Sequence, residues 1–247
     1  MTDTNYYGRG IVIGATDVEQ PFAAYFVTGR SPSSKARIFE ELSTSNSITI
    51  ETKPSDPEVL NKGNPDLLLY DALRAMSGRL VVSNGKHTSD LITRLNSGDE
   101  VNILQRTNNW SYEPDAPNFT PRISGIILAG EMHGQLGIIK RDPNTTGTPF
   151  THTDAPIRQM WGYSLRGGLA YKITTYAGEN KGPLPSFLGN PVELSIQGRM
   201  LDELVEEITP HMGNPEFRVS LAVALFNPHV RGFKTKVVNY AHPEANK

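Results

Sequence analysis

Short β-favouring runs follow one another closely in the first half of this chain. They cover residues 10–14, 21–28, 36–42 and 47–52, and they contain Val, Ile, Phe, Tyr and Thr. Gly, Pro, Asn and Ser residues separate the runs and favour turns between them. This spacing predicts antiparallel meanders.

Further strand-like runs continue the pattern through the rest of the chain. They are residues 79–83, 123–129, 135–140, 169–176, 192–197 and 219–226. The second and third predict a hairpin, and the last predicts a fully buried strand.

Three segments predict helices. Asn64 is placed to cap the first, Pro65 stands at its first position and Gly78 closes it, so that Tyr70 lies on this helix. Its apolar residues recur at helical spacing: Leu69, Leu73 and Met76. Residues 89–96 predict a second, short helix. Residues 200–208 predict an amphipathic helix whose ordinary role is packing against a sheet.

The order of these segments indicates the architecture. No internal repeat occurs, and no loop is long enough to act as an interdomain linker. We therefore expect residues 1–247 to form a single α+β domain, with two mostly antiparallel sheets packed together and covered by helices.

Composition excludes several classes of protein. The chain has no cysteine, which removes disulfides, thiolate metal sites and a cysteine nucleophile. Its formal net charge of -2 gives no global attraction to nucleic acid or to an anionic membrane. The N-terminus lacks the features of a signal peptide, and the longest apolar run is far shorter than the ~20 residues of a membrane span. We expect a cytoplasmic protein.

Common catalytic motifs are absent from the sequence. It contains no phosphate-binding P-loop, no dinucleotide-binding glycine motif and no hydrolase nucleophile elbow. The six histidines show no metal-binding spacing, and His152-Thr153-Asp154 is better interpreted as a polar turn. Thr2 is a poor terminal nucleophile, because a polar tail separates it from the first predicted strand. We expect no metal and no cofactor.

The segment 28–37 (TGRSPSSKAR) is the most unusual window. Its three cations and three serines, with no acid among them, are Arg30, Lys35, Arg37, Ser31, Ser33 and Ser34. Arginine forks, an ammonium group and hydroxyls suit a phosphate monoester. A solvated basic turn between strands is an equally good interpretation of this window alone.

A second window follows the predicted strand 79–83. Asn84, Gly85, His87 and Thr88 present an amide, a flexible backbone, an imidazole and a hydroxyl. Loops at strand ends often bind ligands, and glycine allows close approach of the backbone. A tight turn with polar residues remains the simpler interpretation.

A third window places acids close to an arginine. Glu113 and Asp115 precede Arg122, which begins a predicted strand. A carboxylate held near a cation can act as a general base or orient an amide. Acids in proline-rich loops are more often solvated, so both interpretations stay open.

Together these windows resemble the archaeal-type inosine monophosphate (IMP) cyclohydrolases and their bacterial homologues. The resemblance rests on Tyr7-Gly8-Arg9-Gly10, the loop ending in Arg37, Tyr70, residues 82–88, Tyr112-Glu113 and Thr120-Pro121-Arg122, in that order. It is strong over residues 7–130 and weaker beyond. It implies a four-layer αββα sandwich like that of the N-terminal-nucleophile hydrolases, without use of a terminal nucleophile.

The resemblance also implies a reaction. The formamido ribonucleotide FAICAR (5-formamidoimidazole-4-carboxamide ribonucleotide) loses water and closes to IMP, the last step of purine synthesis. By resemblance Arg37, Tyr70 and Glu113 fall on positions proposed as catalytic, and Arg30 could exchange roles with Arg37.

The remaining polar residues are implied to bind the substrate. They are Arg30, Ser31, Ser33, Lys35, Asn84, Gly85, His87, Thr88 and Arg122. The resemblance suggests a homo-oligomer that acts on a nucleotide, and the balanced charge predicts no nucleic acid or membrane partner. Two rival hypotheses remain: an amidohydrolase of the same fold that acts on another amide, and a non-catalytic nucleotide-binding module.

Overall fold

Two antiparallel sheets form the framework of the molecule. The computed structural model describes residues 5–44, 46–60, 64–98, 104, 109–144 and 156–246. The segment His152–Asp154, predicted to be a polar turn, lies outside these residues. In chain order the strands are β1 (Arg9–Ala15), β2 (Pro21–Thr28), β3 (Arg37–Ser43), β4 (Ser47–Pro54), β5 (Asp71–Met76), β6 (Arg79–Ser83), β7 (Arg122–Leu128), β8 (His133–Lys140), β9 (Ile157–Ser164), β10 (Leu169–Thr174), β11 (Val192–Ser195), β12 (Arg218–Asn227) and β13 (Gly232–Asn239).

The strands divide into a six-stranded and a seven-stranded sheet. Sheet one has the order β11-β10-β1-β2-β12-β13, and sheet two has the order β3-β4-β5-β6-β7-β8-β9. In sheet two every strand pairs with its neighbours in the chain, as the predicted meanders require. Sheet one instead brings the N-terminal hairpin β1-β2 between strands from the second half.

The helices are short. They are α1 (Pro32–Lys35), α2 (Pro57–Leu60), α3 (Pro65–Leu68), α4 (His87–Asn96) and α5 (Leu201–Ile208). In the described part of the chain, no helix combines the length and the apolar character that crossing a membrane requires.

The main core lies between the two sheets. Alternation along β1 sends Ile11 and Ile13 into this space, where they join Val82 and Ile127 of sheet two. Val12, between them, belongs to the opposite face. Because β1 and β2 are covered on both faces, they are buried over their whole length. That double burial explains why both strands read as continuous apolar runs.

One helix covers the outer face of each sheet. On sheet one, Leu204 and Ile208 of α5 pack with Phe22 and Leu221. On sheet two, Leu91 and its neighbours on α4 pack with Val81 and Ile126. The order of layers is therefore α5, sheet one, sheet two and α4, which confirms the predicted α+β sandwich. The likeness to N-terminal-nucleophile hydrolases stays a prediction.

The predicted helix after Asn64 is wrong beyond its first turn. Helix α3 ends at Leu68, and strand β5 begins at Asp71. The Tyr70 backbone is tied to β4 in both directions, since Thr52 Oγ1 accepts from its N–H and donates to its carbonyl. Pairing on both sides of β5 outweighs helix propensity, which is a weak preference.

Gly78 has a different role from the one predicted. Ser77 and Gly78 both have positive φ, 49° and 77°, and they connect Met76 to Arg79, which pair across the hairpin. Two successive residues with positive φ form the tight turn that suits antiparallel strands. A glycine that closes a helix and one in such a turn look alike in sequence.

Besides β5, two strands were not predicted. β9 and β13 each lie at the edge of a sheet, and both are only partly buried. Edge strands need less apolar sequence because one side and one face meet water. Polar residues interrupt both segments and weaken the β signal.

We expect Leu204→Ala to destabilise the protein by about 2–5 kcal/mol, because the change leaves a cavity between α5 and sheet one. Leu204 is fully buried. The matched control is Leu188→Ala, since Leu188 is 64% exposed and its truncation should change stability by less than about 0.5 kcal/mol. Urea unfolding measures both. Equal small losses would contradict the packing of α5.

Candidate active site

A polar cavity of about 260 Å³ opens at one end of the sandwich. Strands β1 and β3 begin there, and β2 ends there. The lining contains three arginines, Arg9, Arg30 and Arg37, and several hydroxyl groups, those of Tyr6, Thr28, Ser31, Ser34, Thr120 and Tyr176. Asp115 is its one carboxylate among the described residues. Such a lining suits an anion with several hydrogen-bonding groups.

Arg9 and Glu113 form a buried ion pair beside this cavity. The Arg9 Nη1 atom lies 3.0 Å from Glu113 Oε2, and the two side chains are 8% and 1% exposed. Arg9 also donates from Nη2 to the Leu67 carbonyl at 3.0 Å. The pair connects the first residue of β1 in sheet one to the loop that leads into β7 of sheet two.

The second carboxylate oxygen of Glu113 has no hydrogen-bond partner. The Nη1 atom of Arg122 lies 3.8 Å from this oxygen, Oε1. Burial raises the pKa of the Glu113 carboxyl, and Arg9 and Arg122 oppose that rise. A buried carboxylate with a raised pKa and an unused oxygen is suited to accept a proton from a substrate.

Arg37 carries an unused donor. Its Nε donates to the Ser34 carbonyl at 3.0 Å, whereas its buried Nη1 has no partner. Burial lowers the pKa of the Arg37 guanidinium, but an arginine side chain remains charged in proteins. The side chain therefore offers positive charge and an N–H group where it lines the cavity.

Tyr70 lies among these charged groups and is paired with a second tyrosine. Its hydroxyl is 2.6 Å from the Tyr25 hydroxyl. The charges of Arg9 and Arg37 both interact with Tyr70 and with Tyr25. The sequence-predicted catalytic residues Arg37, Tyr70 and Glu113 thus belong to one electrostatic neighbourhood.

The serine-rich turn shapes one wall of the cavity. Ser31 caps α1, and its hydroxyl accepts a hydrogen bond from the Ser34 N–H. The Arg30 guanidinium lies 4.6 Å from the centre of the Tyr6 ring and donates to Asn180. Ser33 and Lys35 belong to the same turn but do not line the cavity.

The second predicted window forms a buried turn behind the cavity wall. The Asn84 amide is used on both sides, donating to the Pro121 carbonyl and accepting from the Ile123 N–H. Thr88 Oγ1 donates to the Gly85 carbonyl. Asn84, Gly85 and Thr88 do not line the cavity. Their polar atoms hold the turn against the start of β7.

His87 and Arg122 lie together at this turn. The His87 Nε2 atom is 2.9 Å from Ser124 Oγ, and its buried Nδ1 has no partner. Burial lowers the pKa of the His87 imidazole to about 3, so the ring is neutral. Arg122 stacks on Trp110 and passes so close to Gly85 that a side chain there would collide with its Nη1. A side chain at residue 85 would therefore have to displace the Arg122 guanidinium.

Sequence reasoning gave no role to Arg9, Tyr25, Thr120 or Tyr176. Tyr176 donates to or accepts from Thr120 Oγ1, and Thr120 in turn bonds Asp115. Burial raises the pKa of the Tyr176 hydroxyl. An arginine that opens a fully apolar strand was the one available signal, because a buried cation requires a buried partner. Among the described residues, no group of three histidines or acids is placed to hold a metal ion.

We expect Arg9→Met to lower the free energy of unfolding at neutral pH by about 3–5 kcal/mol, since it leaves the buried Glu113 carboxyl without its partner. The double variant Arg9→Met/Glu113→Gln should recover much of that loss. Chemical unfolding of the four proteins of this cycle gives the coupling. Additive losses would show that the two side chains do not form a pair.

Comparison with known proteins identifies the family. The model for the "IMP cyclohydrolase-like protein" family matches residues 6–229. A Methanocaldococcus jannaschii IMP cyclohydrolase is 32% identical over 138 residues, which are 56% of this chain and 63% of that protein. The IMP cyclohydrolase of Methanococcus maripaludis is 28% identical over 174 residues, 69% of this chain and 74% of that protein.

A third relative comes from another archaeal genus. The Thermococcus kodakarensis IMP cyclohydrolase is 30% identical over 140 residues, which are 56% of this chain and 63% of its own length. The family match extends over nearly all of both sheets described above. This chain belongs to the IMP cyclohydrolase-like family.

Proposed function

We propose that this protein is an IMP cyclohydrolase, which closes the FAICAR ring to IMP with loss of water. Its family and the names of its relatives support the reaction. The observation that favours it most is the Glu113 carboxyl, held on one oxygen by Arg9 and unbonded on the other, beside a cavity with three arginines.

The arginine and serine groups supply a site for the phosphate. Arg30, Ser31 and Ser34 present a guanidinium and two hydroxyls on the same cavity wall. We assign the phosphate to this wall and leave Arg37, which is more deeply buried, for charge that develops during the reaction. Ser33 and Lys35 support the turn, and Lys35 adds positive charge close to it.

Ring closure begins when the carboxamide nitrogen attacks the formyl carbon. Glu113 takes one proton from that nitrogen, and Tyr70 gives its hydroxyl proton to the formyl oxygen. Arg37 stabilises the negative charge on this oxygen. Both reacting groups are already on one imidazole ring, so a large part of the orientation, with effective molarities up to ~10⁵–10⁸ M, is built into the substrate.

Loss of water completes the reaction and restores both groups. The new hydroxyl leaves with the proton that Glu113 received, and the former formamide nitrogen returns a proton to Tyr70. One molecule of water is released, and each catalytic residue ends in its starting state. No bound metal or organic cofactor takes part in this sequence.

The buried turn has a supporting role in this proposal. Asn84, Gly85 and Thr88 fix the start of β7, and His87 fills the space beside Arg122. Arg122 then keeps a second positive charge near Glu113. The proposal also includes a single domain and a cytoplasmic location, as predicted from the sequence, and a homo-oligomeric state, which the resemblance implies.

We expect Glu113→Gln and Tyr70→Phe each to lower kcat by about 10²–10⁴, because each removes one proton-transfer group. Glu113 and Tyr70 lie behind the lining residues Arg9 and Arg37. Matched controls are Glu193→Gln on β11 and Tyr163→Phe on β9, because neither side chain interacts with Arg9, Arg37 or Glu113. The assay mixes purified protein with FAICAR and follows IMP absorbance. Absence of ring closure by the wild type, or full activity in both site variants, would contradict the assignment.

The phosphate assignment predicts a difference between IMP and inosine. Arg30→Ala should weaken IMP binding by about tenfold to hundredfold, the value of a charge-assisted hydrogen bond, whereas Arg37→Ala should lower kcat more than it weakens IMP binding. Inosine, which has no phosphate, should be affected far less. Arg199→Ala is the control, since Arg199 pairs with Asp17 elsewhere on the surface. Calorimetric titration separates these outcomes.

Equal weakening of IMP and inosine binding would contradict the assignment of the phosphate to this wall. Tight IMP binding without ring closure would favour the rival hypothesis of a non-catalytic nucleotide-binding module. Turnover of a different amide with indifference to IMP would favour the amidohydrolase.

A further inference from the structure

The Tyr25 hydroxyl has an isolated position in the molecule. Tyr25 lies in the middle of β2, its side chain is fully buried, and its ring stacks on Phe39 with 5.6 Å between ring centres. Within the described part of the chain, its hydroxyl has one hydrogen-bond partner, the Tyr70 hydroxyl at 2.6 Å. Burying a hydroxyl group in an apolar core costs free energy unless the group is hydrogen-bonded.

The direction of this hydrogen bond follows from the protons and acceptors that surround the two hydroxyls. Each phenol has one hydrogen, and either hydroxyl could donate to the other. The charged groups that interact with Tyr25 are Arg9 and Arg37, and guanidinium groups have no acceptor. If Tyr25 did not donate to Tyr70, its buried proton would have no acceptor at all. Tyr25 is therefore the donor.

The hydrogen bond from Tyr25 leaves the Tyr70 proton unused. Because Tyr70 accepts from Tyr25, its own proton points away from β2. Within the described residues no other group takes that proton. Tyr70 also keeps a little exposure, 7%, whereas Tyr25 has none. The free proton of Tyr70 is thus the one available to a bound molecule.

We infer that Tyr25 is a positioning residue for the cyclohydrolase reaction, donating to Tyr70 so that Tyr70 presents its proton to the formyl oxygen of the substrate. This inference rests on the proposed function. As the proton moves to the substrate, negative charge develops on the Tyr70 oxygen. The hydrogen bond from Tyr25 then becomes charge-assisted and strengthens. Tyr25 keeps its own proton throughout, and Tyr70 regains its proton when water leaves.

The test is a kinetic cycle of Tyr25→Phe, Tyr70→Phe and the double variant. Tyr25→Phe should lower kcat by about tenfold to hundredfold, the order of a lost donor to developing charge, with KM and IMP affinity unchanged. In the Tyr70→Phe background, removing the Tyr25 hydroxyl should change kcat by less than about twofold, because the residue acts through Tyr70.

The matched control is Tyr240→Phe. Tyr240 also has a hydroxyl paired with another hydroxyl, that of Thr209, but it packs with the outer core cluster of sheet one. It should retain wild-type kcat. Thermal unfolding of each variant checks that the fold is kept, which the isosteric Tyr-to-Phe change favours.

Two results would overturn the inference while the proposed function stands. One is full kcat in Tyr25→Phe while Tyr70→Phe is impaired. The other is an equal fold-loss from Tyr25→Phe in both backgrounds, which indicates a general structural effect. Lack of ring closure by the wild type is a different result, and it would overturn the proposed function together with this inference.

Discussion

The buried ion pair between Arg9 and Glu113 joins the two sheets at the cavity. Arg9 opens a strand of sheet one, and Glu113 lies in the loop that enters sheet two. Removing two charges from water is costly, and an apolar pair of similar volume would often be as stable or more stable. The pair is therefore better explained by function than by stability. It keeps a carboxylate inside the protein and leaves one of its oxygens unbonded.

The groups around this pair have separate roles in the proposed reaction. In the proposed reaction Glu113 would accept a proton and Tyr70 would donate one, while Arg37 would supply a positive charge with an unused N–H. Arg30 and the serine turn lie on the outer wall, where an entering phosphate would meet them. Buried donors fixed by the fold need no reorganisation during the reaction, which is the basis of electrostatic catalysis. In this proposal the enzyme mainly orients groups and moves protons.

Most strands of the two sheets could be predicted from the sequence, but the segment between β4 and β6 could not. Continuous apolar runs such as β2 and β12 were found because strands covered on both faces need apolar residues throughout. The segment around Tyr70 was predicted to be helical, because a glycine after an apolar periodic run suits both a helix end and a hairpin turn. Strand pairing across β4 and β6 decided between them, and such pairing depends on residues distant in the chain.

The residues of the candidate site could likewise be predicted only in part. Arg37, Tyr70 and Glu113 could be proposed from motifs, and they do share one neighbourhood. The role of Arg9 depends on a partner 104 residues away, which spacing does not reveal. Tyr25 stands inside an apolar run and looks like any core aromatic residue. The polar residues Asn84 and Thr88 looked like ligands, yet their hydrogen bonds are made within the fold.

The pH dependence of ring closure tests the central claim that Glu113 is the proton acceptor. The carboxylate must be unprotonated to act, and burial raises the pKa of this group. We therefore predict that kcat/KM falls as the pH drops through a value above the ordinary glutamate pKa of about 4.3. This acidic limb should be absent from the residual activity of Glu113→Gln. An unchanged acidic limb in that variant would contradict the account.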